Sequence, residues 1–174
     1  MSKYYKPIAE TILYLNSDFN CTITQNAGGH NTDFTFVVPD INIQDLGYLS
    51  VINILPINYS TTNPYVFRIK NIEYDSKNYF CSDYGYPIIL TSLFGTVVSS
   101  GLLGVAKYGL TLPSQTIRSI TINVSDSNFL LNDGVATAFQ FILGLKIEEF
   151  DPKISEVGDP YTEGRHNMKL AGYD

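Results

Sequence analysis

The chain has 174 residues, a length that one β-sandwich domain uses without a second core. Charged residues make up only 16% of it, against about a quarter in ordinary globular domains, so much of the surface is uncharged polar or covered by something else. A formal net charge of −6, with only 11 Lys and Arg and no basic run, leaves too few groups to neutralise phosphates, and no nucleic-acid binding is expected.

Tyr (13) and Phe (10) accompany abundant Ile, Val and Thr, while Gly and Pro punctuate the whole length, so the residue types favour strands over helices. The opening residues lead into no long apolar region, so no signal peptide is expected and synthesis is expected inside a cell. The most apolar stretch, residues 93–106, is broken by Gly95, Ser99, Ser100, Gly101 and Gly104 and is shorter than the roughly 20 residues that span a bilayer. No transmembrane segment is expected.

In chain order, residues 11–15, 21–24, 34–38, 48–55, 66–74 and 87–93 are strand candidates, each bounded by Gly, Pro, Asn or Asp. Within 66–74 the apolar positions Val66, Phe67, Ile69, Ile72 and Tyr74 slip phase around Lys70 and Asn71, which predicts a β-bulge. Leu110, Thr111 and Leu112 precede Pro113 and predict a short edge strand, since proline suits a central one poorly. Residues 118–124 alternate, with Ile120, Ile122 and Val124 inward and Ser119, Thr121 and Asn123 outward. Asp126, Ser127 and Asn128, then Asn132, Asp133 and Gly134, supply turn chemistry. The strongest period-2 signal follows, with Phe139, Phe141, Leu143, Leu145 and Ile147 on one face.

About eight strands without a helical period predict an all-β, antiparallel β-sandwich. The Cys, Trp, Cys signature of immunoglobulin domains is missing because the chain has no Trp, so a jelly roll with extended terminal arms is the predicted form. Residues 1–150 are read as one domain with a short N-terminal arm, and residues 151–174, where periodicity disappears, as a polar extended C-terminal arm.

The residues that could carry chemistry are dispersed. His30 and His166 lie in loop-like surroundings without a metal-ligand partner at short spacing, so neither a catalytic metal nor a cofactor is expected. Cys21 and Cys81 are too few for a disulfide framework and are expected as reduced, buried thiols, although spacing alone leaves a bond between them open. Asp75, Asp83, Asp126 and Asp133 have a local explanation as turn residues that outweighs calcium binding. Non-enzymatic function is the expectation.

Two groups point instead to contact with other molecules. Tyr59, Tyr65, Tyr79, Tyr84 and Tyr86 cluster in the middle of the chain and form a candidate aromatic platform, with an equal claim as rim-of-core residues. In the arm, Val157, Tyr161, Met168, Leu170 and Tyr173 are candidate apolar anchors, and Arg165 and Lys169 could pair with carboxylates of a neighbour. An arm of this composition gains little from its own packing, so contacts with another chain would have to offset its ordering entropy.

The run Asn63-Pro64-Tyr65-Val66-Phe67-Arg68-Ile69-Lys70-Asn71-Ile72, then Tyr86-Pro87-Ile88-Ile89-Leu90, then Ser119-Ile120-Thr121-Ile122-Asn123-Val124 before the strand at 139–147, resembles single-jelly-roll minor capsid proteins of large icosahedral double-stranded DNA viruses. The resemblance covers about half the chain and consists of strand and turn patterns. It implies a virion shell component without an active site, made in the host cytoplasm, whose partners are other capsid proteins or copies of itself. No functional residue carries over from it. The alternative is a carbohydrate- or receptor-binding β-sandwich module.

Overall fold

The computed structural model describes residues 7–57, 65–74, 88–91, 97–100, 110–125 and 132–150, with 88–91 and 97–100 through their backbone. Among them are eight strands: β1 Ala9–Asn16, β2 Cys21–Gln25, β3 Asn31–Ile57, β4 Val66–Ile69, β5 Ile88–Thr91, β6 Val97–Ser100, β7 Leu110–Ser125 and β8 Gln140–Phe150. Every pairing is antiparallel, and the hydrogen-bonded order is β1-β8-β3-β7-β4-β5-β6, with β2 added on β3. The chain is therefore all-β and antiparallel, as its composition predicts. This order is one continuous path and does not by itself spell out the two separate sheets of a jelly roll.

β3 bends that path over on itself. Its residues 33–43 pair with β7, Leu46 to Leu49 pair with both β7 and β8, and residues 51–57 pair with β8 alone. Phe34 sits opposite Ile122 of β7 and Phe141 sits opposite Pro56, yet the two rings meet edge to face at 5.0 Å. Phe67 of β4 reaches the same ring at 5.1 Å. The two halves of the path consequently face each other across a shared core, in the manner of a sandwich.

Sequence reading divides β3 into strands at 34–38 and 48–55, because Pro39, Asp40, Asp45 and Gly47 look like turn residues. The strand continues through them by register shifts between Val37 and Ile41, Ile43 and Leu46, and Val51 and Asn53. The first and last shifts change which parity points inward, and the middle one leaves it unchanged. Phe34, Phe36 and Val38 are buried before the first, Ile41, Ile43 and Leu49 after it, and Ile54 and Pro56 after the last.

Three further expectations need correction. Leu110, Thr111 and Leu112 do not form a separate edge strand; they open β7, and Pro113 is accommodated where, among the described residues, β3 alone pairs with β7, β4 joining at residues 122–125. The bulge expected around Lys70 and Asn71 is instead the end of β4 at Ile69. Side-chain amides then continue the pairing: Asn71 Oδ1 accepts from Thr121 N at 2.6 Å, and Gln115 Nε2 donates to Glu73 O at 2.6 Å. Asn123, expected to face outward, is buried with only 1% of its surface exposed.

Asn123 keeps to the face opposite Ile122 and Val124, as alternation predicts, but it is buried there beside its cross-strand partner Arg68 of β4, which is completely buried. Arg68 Nη1 donates to Asn123 Oδ1 at 3.0 Å and to Ser125 Oγ at 2.9 Å, and these bonds are part of its contacts, not all of them. Asn123 Nδ2 in turn donates to Thr32 O at 3.1 Å and to Asp33 Oδ1 at 3.2 Å, while Lys70 Nζ pairs with Asp33 Oδ1 at 2.9 Å. A buried cation is tolerable only when such groups satisfy it, so the network ties β3, β4 and β7 in one register.

Candidate interaction surface

The outward face of the layer made by β1, β8 and the C-terminal half of β3 carries the largest coherent set of exposed apolar side chains among the described residues. β1 pairs with β8 so that Tyr14 lies opposite Gly144 and Ile12 opposite Lys146; β3 continues the row with Asn53 opposite Gly144 and Leu55 opposite Ile142. Strand alternation sends Leu13 and Leu15 toward the core and Ile12 and Tyr14 outward. Tyr14 is 67% exposed, and Ile12, Ile52 and Leu55 each expose close to half of their surface.

Gly144 shapes this face. A Cβ added there would lie 3.2 Å from Tyr14 Cε1 and 3.5 Å from Ile52 Cβ, so the missing side chain lets the tyrosine ring lie flat across β8 toward β3. The result is one apolar band across three strands instead of isolated residues. Charge is confined to one end of it: Lys146 Nζ pairs with Glu148 at 2.8 Å and with Glu10 at 2.9 Å. Those hydrogen bonds, Glu148's first and Glu10's second, raise the lysine's pKa above its ordinary value and keep it charged.

Beneath the free edge of β1 the two layers part. One hollow of about 320 Å³ is lined by Leu13, Leu15, Phe36 and Val38, with Phe19 at its rim, and a second of about 300 Å³ by Ala9, Thr11, Ile41, Ile43 and Ile147. Phe19 stands on the turn after β1, where Asn16 O accepts from Phe19 N at 3.0 Å and Asn20 takes a left-handed φ of 54°. Glu149 reaches across the second opening, its Oε1 accepting from Gln44 N at 3.0 Å.

The residues with recognisable chemistry are used in building loops. Asn26 Oδ1 accepts from Gly28 N and His30 N, both at 2.9 Å, while Asn26 Nδ2 donates to Asn132 O at 2.7 Å. His30 is exposed, and its Nδ1 lies 3.2 Å from Asp133 O. Gly134 completes this corner with a φ of 66°, where a Cβ would approach Asn31 O to 2.6 Å. Among the described residues no group of three or more His, Cys, Asp and Glu is placed to hold a metal ion. Cys21 is free and half-buried, and desolvation pushes its thiol up to about 11, a backbone hydrogen bond with Thr35 acting weakly the other way.

Of the residues singled out for interaction, Tyr65 is buried, its ring 4.4 Å from that of Phe139, and so contributes to the core of this chain. Tyr59, Tyr79, Tyr84, Tyr86, Val157, Tyr161, Arg165, Met168, Lys169, Leu170 and Tyr173 lie outside the described residues, as do His166, Cys81 and the whole of 151–174. Sequence reading overlooked Ile12, Tyr14, Ile52 and Leu55. A signal was present in the uninterrupted apolar run Ile12-Leu13-Tyr14-Leu15, which puts apolar groups on both faces of one strand.

No family model and no curated protein matches this sequence. A search of solved structures returns the infectious bursal disease virus VP2 subviral particle, at 14% identity and a TM-score of 0.32, over 95% of this chain and 49% of that one. The chain thus spans about half the length of VP2, and the superposition is too loose to transfer anything from that protein to this one. No helix among the described residues is long and apolar enough to cross a membrane.

Proposed function

We propose that the chain is a non-enzymatic structural protein, a minor capsid component that makes protein–protein contacts in an icosahedral virion shell. The observation that carries this reading is the exposed apolar band of Ile12, Tyr14, Ile52 and Leu55 across β1, β8 and β3, since contiguous apolar surface of this kind marks contact sites. The low charge of the chain and the strand pattern shared with single-jelly-roll minor capsid proteins agree with it. Residues 151–174 are a second contact element under this reading.

The test is co-sedimentation. The full chain, tagged and expressed during infection, is expected in purified particles together with the major shell protein, and substitution Tyr14→Lys is expected to deplete it from them at least about tenfold. Recovery only from the soluble fraction would overturn the proposal. A glycan array separates this from a sugar-binding module, for reproducible sugar hits would favour that alternative. Elemental analysis is expected to show no stoichiometric transition metal, and one equivalent would return an enzyme to consideration.

A further inference from the structure

Among the described residues β1 is an edge of its layer and pairs with β8 alone. Ser17 N donates to Phe141 O at 3.0 Å, in the register that also pairs Leu15 with Leu143 and Leu13 with Leu145. In an antiparallel ladder alternate residues make both bonds to one neighbour, so the odd residues of β1 direct their N–H and C=O to β8. Glu10, Ile12, Tyr14 and Asn16 direct theirs to the open side. Soluble proteins guard such an edge with lysine, proline, a bulge or a shortened strand. Thr11 to Asn16 has none of these: it is uncharged, lacks proline, and runs with β8 without a register shift.

The layer's charge is also lopsided. Glu10, Lys146, Glu148 and Glu149 occupy the end near Ala9, whereas at the other end Asn16 and Ile142 are neutral and Asp18, which accepts from Gln140 Nε2, adds a single carboxylate. A second copy laid parallel along β1 would set the two acidic ends side by side. Laid antiparallel, it sets each of these acidic ends against the end whose one carboxylate is Asp18.

We propose that two copies of this chain join through β1, antiparallel about a two-fold axis at Leu13, so that Ile12 of one copy stands opposite Tyr14 of the other and Glu10 opposite Asn16. This register matches the open-side residues of both strands, so all of them form closely bonded pairs, about eight hydrogen bonds in all. The inward-facing Leu13 residues of the two copies meet on the axis. The joined layer has β3, β8 and β1 from each copy, and the apolar band runs unbroken across it, with Ile12 and Tyr14 of the two copies side by side at its centre. Such a contact is isologous and closes on itself. The inference rests on the reading of the chain as an assembling protein, but its test is the mass of the purified chain, so it and particle incorporation fail separately.

The experiment uses the full chain with Cys21→Ser and Cys81→Ser. Sedimentation at about 100 µM is expected to give a dimer. Tyr14→Lys and Ile12→Lys, both at exposed positions, are each expected to weaken it at least about a hundredfold while the far-UV spectrum stays that of the parent. Leu13→Cys is expected to form a disulfide-linked dimer on mild oxidation, because residues that face each other without hydrogen bonds in an antiparallel pair bring their Cβ atoms within bridging range. A monomer at that concentration overturns the proposal, and so does a dimer that survives both lysine substitutions and gives no Leu13→Cys cross-link. A monomer whose Ile12 and Tyr14 amides resist hydrogen exchange overturns it as well, since another segment of the same chain would then occupy the edge.

Discussion

Phe141 is the residue at which the two layers meet, and removing it is the sharpest test of the fold. Its side chain is fully buried, and its ring touches Phe34 at 5.0 Å, Phe67 at 5.1 Å and Phe36 at 6.1 Å, residues that belong to β3 and β4. Phe141→Ala removes the ring without giving the surrounding strands a way to collapse, because each is fixed by its own ladder. The upper part of the usual range for such truncations applies, a loss of about 4 to 5 kcal/mol. For a chain of this size that corresponds to a fall in melting temperature of roughly 8 to 20 °C, and with a urea m-value of about 2 kcal/mol/M the midpoint moves down by roughly 2 M. Equilibrium urea denaturation followed by tyrosine fluorescence and far-UV circular dichroism measures it. Val37→Ala, at a side chain 81% exposed on the neighbouring strand, is the control and should stay within about 0.5 kcal/mol. A loss below about 1 kcal/mol for Phe141→Ala would mean that the two halves of the path do not face each other.

Asn123→Ala should cost about 2 to 4 kcal/mol in the same assay, because it strips a buried guanidinium of one acceptor; a neutral result would place Asn123 on the surface, where simple alternation puts it. Gly134→Ala should cost about 1 to 3 kcal/mol through its positive φ and the contact with Asn31 O, and an unchanged denaturation midpoint would refute that geometry. Cys21 should alkylate at pH 8 at least about tenfold more slowly in folded than in urea-unfolded protein, since its folded pKa is raised from 9.0 to about 11. The sign for stability follows: unfolded thiol ionises first, so the Cys21 contribution is whole below pH 9 and is lost as pH rises from there toward 11. Equal alkylation rates in the two states would show the thiol to be open to solvent.

Local alternation was enough to find the two strands that run through the core. Phe139, Phe141, Leu143, Leu145 and Ile147 are all buried, as are Ile120, Ile122 and Val124, because a strand covered on one face must alternate and a single sequence displays that alternation. The all-β, antiparallel class follows from the same signal. Tertiary pairing decided the rest. Whether Pro39 and Gly47 end a strand or sit in one long bent strand depends on partners that absorb the register shifts, and those partners lie some seventy to a hundred residues away in β7 and β8. Asn123 lies on the outward face that alternation assigns it, yet it is buried beside Arg68 of β4, and a side chain's own type does not report what the neighbouring strand will supply. The exposed band was hidden for a related reason. Ile12 and Tyr14 look like core residues until the strand order leaves β1 at an edge with its outer face uncovered, and an edge is a property of the completed sheet, not of the eight residues that form it.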